Sequence, residues 1–96
     1  VFIVVWTFRL KDDVSEADFL AANERLQTEF VYLQPGFVRR TTARGKDGEW
    51  LVIGVWGSRA EAFAAREIAK DDLVSRTANA MVEPSSVQVK RFETLD

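Results

Sequence analysis

The residues of this sequence that could act together chemically are aromatic, amide and guanidinium groups. Trp56 closes the run Glu-Trp-Leu-Val-Ile-Gly-Val-Trp-Gly-Ser (49–58), where a strand gives way to a helix and a pocket between sheet and helix would open. Its indole can stack on a planar ring, and it can equally serve plain core packing. Trp6 has the parity of Phe2, Val4 and Phe8, so it faces the same side as Trp56 if the two strands are neighbours. Asn23 falls between Phe19 and Leu26 on the apolar stripe of a helix, and a buried amide there must find a substrate oxygen, the backbone or water as partner. Arg39 and Arg40 are adjacent on a strand and point to opposite faces, so one of them lies on a covered side and needs an anion, either a substrate phenolate or an intersubunit carboxylate. Arg39 joins Trp56, Trp6 and Asn23 as the candidate pocket set, with the choice between the two arginines open. Tyr32, the single Tyr, lies near a helix end and reads as a packing residue. Such groups can hold a flat, oxygen-bearing molecule and stabilise negative charge on it.

What is missing narrows the chemistry further. There is no Cys, which removes disulfides, thiolate metal sites and thiol catalysis and fits a reducing cytoplasm, the expected location. There is no His, which removes the usual general base, zinc ligand and haem ligand together. Thirteen Lys and Arg against fifteen Asp and Glu leave a net charge of -2, with no global attraction for nucleic acid or anionic lipid. The apolar opening Val1 to Phe8 meets Arg9 too early to be a signal peptide or membrane span, and reads as a strand. The expected partners are therefore a second copy of the chain and a small aromatic ligand, not nucleic acid or membrane.

The elements that position these residues follow from periodicity. Ninety-six residues, 47% hydrophobic, make one domain spanning the chain. Phe2 to Leu10 and the 49–58 run are apolar at both parities, which predicts central strands covered on both faces. Helices can cover one face of so small a sheet, and a second copy of the protein covers the other most simply. Ser15 and Asp18 resemble a capping box for a helix from Ala17 to about Leu33, with Phe19, Leu20, Leu26, Phe30 and Leu33 on its apolar stripe. Gln34-Pro35-Gly36 ends it, Phe37 to Arg44 is a second strand, and Gly45-Lys46-Asp47-Gly48 turns into the third. Ser58 and Glu61 cap a helix through Ala69, a break near Lys70 precedes a segment capped by Asp71 or Asp72 and reaching about Met81, and Val87 to Phe92 is an edge strand.

This βαββαβ order, with Gln-Pro-Gly-Phe before the second strand and the 49–58 run leading into Ala-Glu-Ala-Phe-Ala-Ala, resembles the antibiotic biosynthesis monooxygenase-like family over nearly the whole chain. The resemblance implies a ferredoxin-like α+β fold, an antiparallel sheet with helices on one face, paired sheet to sheet as a dimeric α+β barrel. It implies two chemistries: oxidation of polyphenolic substrates by dioxygen without a cofactor, and oxidative cleavage of haem. Both place a Trp at the end of the third strand, matched by Trp56. The monooxygenases also place an Asn, a Tyr and an Arg around the substrate. Haem-cleaving members use a first-strand Asn, where this chain has Trp6, and a helix His that it lacks, leaving only Tyr32 or Met81 as ligands. The expectation is a monooxygenase-like protein for a small planar aromatic or quinol-type substrate, with no cofactor and no metal, or else a non-catalytic small-molecule-binding or stress-associated barrel in which the pocket is packed shut.

Overall fold

The computed structural model describes residues 1–96. Strand β1 (Phe2–Arg9) leads to helix α1 (Glu16–Glu29), strands β2 (Phe37–Arg44) and β3 (Glu49–Trp56), helices α2 (Arg59–Ala69) and α3 (Leu73–Asn79), and strand β4 (Gln88–Glu93). The four strands form one antiparallel sheet in the order β2-β3-β1-β4. The two strands that are apolar at both parities are the central ones, and β4, with its interleaved polar residues, is an edge. This is a ferredoxin-like α+β fold.

Helix starts follow the sequence signals. Ser15 Oγ accepts the Asp18 backbone N–H at 3.1 Å, Ser58 Oγ accepts that of Glu61 at 3.2 Å, and Asp72 caps α3 through the Ser75 N–H at 2.8 Å. The end of α1 differs from expectation: the helix stops at Glu29, and Val31–Leu33 form a 3₁₀ turn. Continuing the α-helix would rotate Val31 about 100° from Phe30, whereas both are buried, at 6% and 8% exposure, because the backbone turns at Phe30 (φ −132°, ψ −66°). Leu20 and Leu33, expected on the buried stripe, are 44% and 71% exposed. Gly36 then leaves the turn at φ +81°, with the Glu61 side chain packed on its α-carbon and its carbonyl accepting the Gly57 N–H at 2.7 Å. The entry to β2 is thereby tied to the start of α2.

Phe2, Val4, Phe8, Trp50, Val52 and Trp56 all lie on the helix-covered face and are at most 7% exposed. Cross-strand register places Ile3, Val5, Leu51, Ile53 and Val55 on the opposite face. No part of this chain covers that face, and its side chains remain only half-buried.

Strand β2 contains an irregularity with a direct effect on the site. Phe37 pairs with Trp56, but Arg39 pairs with Val55, so Val38 is an extra residue in β2. Below it, Arg40 pairs with Gly54 and Thr42 with Val52, on the helix-covered face, and Arg39 is turned to the other side. Without the bulge Arg39 would share the face of Phe37.

Candidate active site

Between sheet and helices lies a mainly apolar cavity of about 400 Å³. A cavity of this size accepts a small ligand. Trp56, Trp6 and Asn23 line it, and Arg39 does not: it is exposed on the opposite face, and Arg40 takes its place. The one-residue bulge at Val38 is the physical reason for this correction.

Trp56 is fixed from three sides. Phe37 meets its ring edge-on at 5.8 Å between centroids, Ala62 and Ala65 of α2 back it, and Phe2 and Val4 flank it. The small alanines let α2 approach the sheet closely enough to hold the indole. A Cβ built on Gly54 would lie 3.3 Å from Trp56 Nε1 and 3.6 Å from Trp6 Cζ3, so the glycine makes room for two indoles against the sheet. Trp56 Nε1–H donates to no group of the chain.

Arg40 reaches from β2 under α1. Its Nη1 donates to Asn23 Oδ1 at 2.8 Å and Gln27 Oε1 at 3.0 Å, with Thr42 Oγ1 at 3.4 Å. Asn23 Nδ2 donates to Thr42 Oγ1 at 3.1 Å, closing the network. Asn23, 5% exposed, therefore spends its amide on holding Arg40 and is a positioning residue. No carboxylate pairs with Arg40: the three ion pairs are Arg25 with Glu29, Arg44 with Glu16 and Lys70 with Glu67, all at the surface. Burial pulls the guanidinium pKa down to about 10, with nearby Tyr32 acting in the opposite direction, so the group is fully charged at neutral pH. Its Nε and Nη2 make no hydrogen bond within the chain. Arg40 and Gly54 are cross-strand partners and the Trp56 indole lies over Gly54, so Arg40 and Trp56 line one cavity with donors that no group of the chain uses. The arrangement is built to receive negative charge on a flat molecule.

The residues sequence reasoning missed are Arg40 as the inward arginine, Thr42 and Gln27 as its supports, and the cavity-lining Arg66 and Arg91. The first two had an available signal: counted back from the Gly45–Gly48 hairpin, Thr42 and Arg40 share the face of Trp50 and Val52. Tyr32 is 47% exposed and stacks at 5.1 Å on Phe37, and neither it nor Met81 lines the cavity. The residues present therefore do not fit an iron ligand for haem at this site.

No family model and no curated protein matches the chain in sequence. Solved structures match it in shape along its length. SnoaB, a cofactor-independent oxygenase from Streptomyces nogalater, superimposes with a TM-score of 0.76 at 25% identity, covering 99% of this chain and 93% of that one. The chain has the antibiotic biosynthesis monooxygenase-like fold. A Nitrosomonas europaea protein assigned as an antibiotic biosynthesis monooxygenase matches at a TM-score of 0.77 and 19% identity, with 100% of both chains covered. A conserved protein from Methanosarcina mazei matches at 0.75 and 8% identity, covering 96% and 90%. This monooxygenase-like fold thus persists across sequences that share few residues. No helix is long and apolar enough to cross a membrane.

Proposed function

We propose that this protein is a cofactor-independent monooxygenase acting on a small planar aromatic or quinol-type substrate in the cavity beside Trp56. The observation that carries this reading is Arg40: a buried guanidinium without a carboxylate, held by Asn23, Gln27 and Thr42 so that its remaining donors are free toward an apolar cavity. A phenol or enol that ionises there is stabilised as its oxyanion, and the conjugated carbanion reacts with dioxygen. In the balanced reaction a ring methylene and one dioxygen give a ring carbonyl and one water. One oxygen atom enters the carbonyl, the other leaves as water with both methylene hydrogens, and the substrate supplies all four electrons. Trp56 and Trp6 hold the rings, and the Trp56 indole N–H is a second donor to the oxyanion. The shape match to SnoaB, described as a cofactor-independent oxygenase, supports the same class of reaction.

The working unit in this proposal is a cytoplasmic homodimer that buries the sheet face bearing Ile3, Val5, Leu51, Ile53 and Val55 against its counterpart. A monomer by light scattering at micromolar concentration, with the fold intact, would sink that part.

One observation favours a second reading, a binding protein without catalysis: no Asp, Glu, His or Tyr lines the cavity, so no side chain there is an evident proton acceptor. The same cavity is open, unlike the packed-shut version of that reading. Oxygen uptake with a panel of quinols and polyphenols separates the two. The monooxygenase consumes oxygen, and Trp56→Phe slows it at least tenfold; ligand-induced thermal shifts with no oxygen consumed across the panel identify a binding protein.

A further inference from the structure

The charged side chains lining the cavity are Arg40, Arg66, Lys70 and Arg91, and every one is basic. The whole chain has 13 basic and 15 acidic residues, so lining residues unrelated to a ligand would mix signs. Lys70 is partly neutralised by Glu67 at 2.8 Å, but Arg66 and Arg91 have no carboxylate partner. Arg66 and Lys70 stand one turn apart toward the C-terminal end of α2, where cations also suit the helix dipole. That explanation does not reach Arg91. It belongs to edge strand β4, opposite Val4, with its guanidinium 5.4 Å from the Phe63 ring centroid of α2.

The sheet register relates these cations to the site. Arg91 pairs with Val4, Val4 with Gly54, and Gly54 with Arg40, so one cross-sheet row runs from arginine to arginine through Val4 and Gly54. Three strand spacings of about 4.8 Å separate its ends by about 14 Å at the backbone. The Arg40 side chain reaches in under α1 and that of Arg91 stays exposed over Phe63, leaving a span that a fused aromatic system with a pendant acid group bridges. The wall between α2 and β4, lined by Phe63, Arg66 and Val89 as well as Arg91, carries no hydrogen bond between the two elements. Arg66 and Arg91 are exposed there, at the mouth of the cavity.

From this we infer that the ligand is a planar aromatic acid that enters between α2 and β4, leaving its anionic group between Arg66 and Arg91 while its rings extend to Trp56 and Arg40. The inference rests on the reading of the cavity as an open ligand site, and specifies the substrate class by a second, distal negative charge.

Two fluorescent probes with the same aromatic groups, anilinonaphthalene sulfonate and neutral phenylnaphthylamine, test it on the full chain. The sulfonate binds about tenfold more tightly at low salt, and the advantage shrinks as salt rises because the mouth is exposed. The double substitution Arg66→Gln and Arg91→Gln removes that advantage and leaves the neutral probe within twofold, whereas Arg66→Lys with Arg91→Lys retains it. Arg39→Gln, on the opposite face, changes neither. Equal affinity for the two probes, or a preference that survives the double glutamine variant or falls with Arg39→Gln, overturns the inference while the open-cavity reading stands. Failure of both probes to bind overturns both.

Discussion

Replacing Arg40 with methionine distinguishes an arginine that supports the fold from one that serves a ligand. Burial lowers its pKa from the ordinary arginine value to about 10. At about 1.4 kcal/mol per unit, keeping the charge in place costs about 3 kcal/mol. The sign follows from proton linkage: from about pH 10 up to the ordinary arginine value the unfolded chain holds a proton that the folded chain has released, so stability rises with pH there. Below that window the whole cost is present. Against it stand the bonds from Nη1, which has two hydrogens for the acceptors of Asn23, Gln27 and Thr42. Two full bonds from a charged donor return about 3 kcal/mol, which nearly cancels the cost. Arg40→Met keeps most of the apolar stem and gives up both terms, and water entering the cavity takes over the Asn23 Oδ1, so unfolding in urea should shift by no more than about 1 kcal/mol, against about 3 to 5 kcal/mol for breaking a buried ion pair. Ligand affinity, titrated by quenching of the cavity tryptophans, should fall at least tenfold. A loss of about 3 kcal/mol or more with unchanged affinity would refute this reasoning and make Arg40 a structural prop.

Three further outcomes are expected. Gly54→Val puts methyl groups where the indoles of Trp6 and Trp56 lie, costs about 1 to 3 kcal/mol by overpacking, and shifts tryptophan emission while weakening ligand binding; unchanged emission would show that the indoles do not depend on the glycine. Ile53→Arg places a charge at the centre of the uncovered sheet face and gives a monomer by light scattering with an unchanged far-ultraviolet spectrum; a dimer of wild-type affinity would place the interface elsewhere. Ser58→Ala removes the hydroxyl that accepts the Glu61 N–H and donates to its carboxylate at 2.9 Å, lowering stability in urea by about 1 kcal/mol.

The fold was legible because its signals are local and repeated. Apolar residues at both parities identify β1 and β3 as central, three side-chain caps mark the helix starts, and Gly36 and Gly48 supply the positive φ values that the turns need. The end of α1 was not legible, because whether the chain continues as an α-helix or tightens after Phe30 depends on which packing buries both Phe30 and Val31. Within the site, Trp56, Trp6 and Asn23 could be placed from parity and helical spacing alone. Arg40 could not be placed by counting from Phe37, since alternation carries no mark of an inserted residue. Asn23 was readable as a polar residue on an apolar stripe, but its role depended on a partner on another element, seventeen positions away in sequence. The basic mouth was not legible because Arg66, Lys70 and Arg91 are scattered along the chain and meet only through the cavity between them.

The extra residue in β2 also acts as a reading frame. Two arginines stand side by side, and a single bulged residue upstream decides which of them shares the cavity face with Phe37 and which lies on the opposite face of the sheet. Regular pairing with Val38 kept, so that Val38 met Val55 and Arg39 met Gly54, would exchange their assignments without altering the identity of either. Relatives aligned through this strand without a gap can therefore match an inward arginine to an outward one, and their pocket chemistry would be misassigned although every residue type agreed. In this fold, a change between bulged and regular pairing at that position is a route to a new site specificity that no substitution inside the cavity is required to begin.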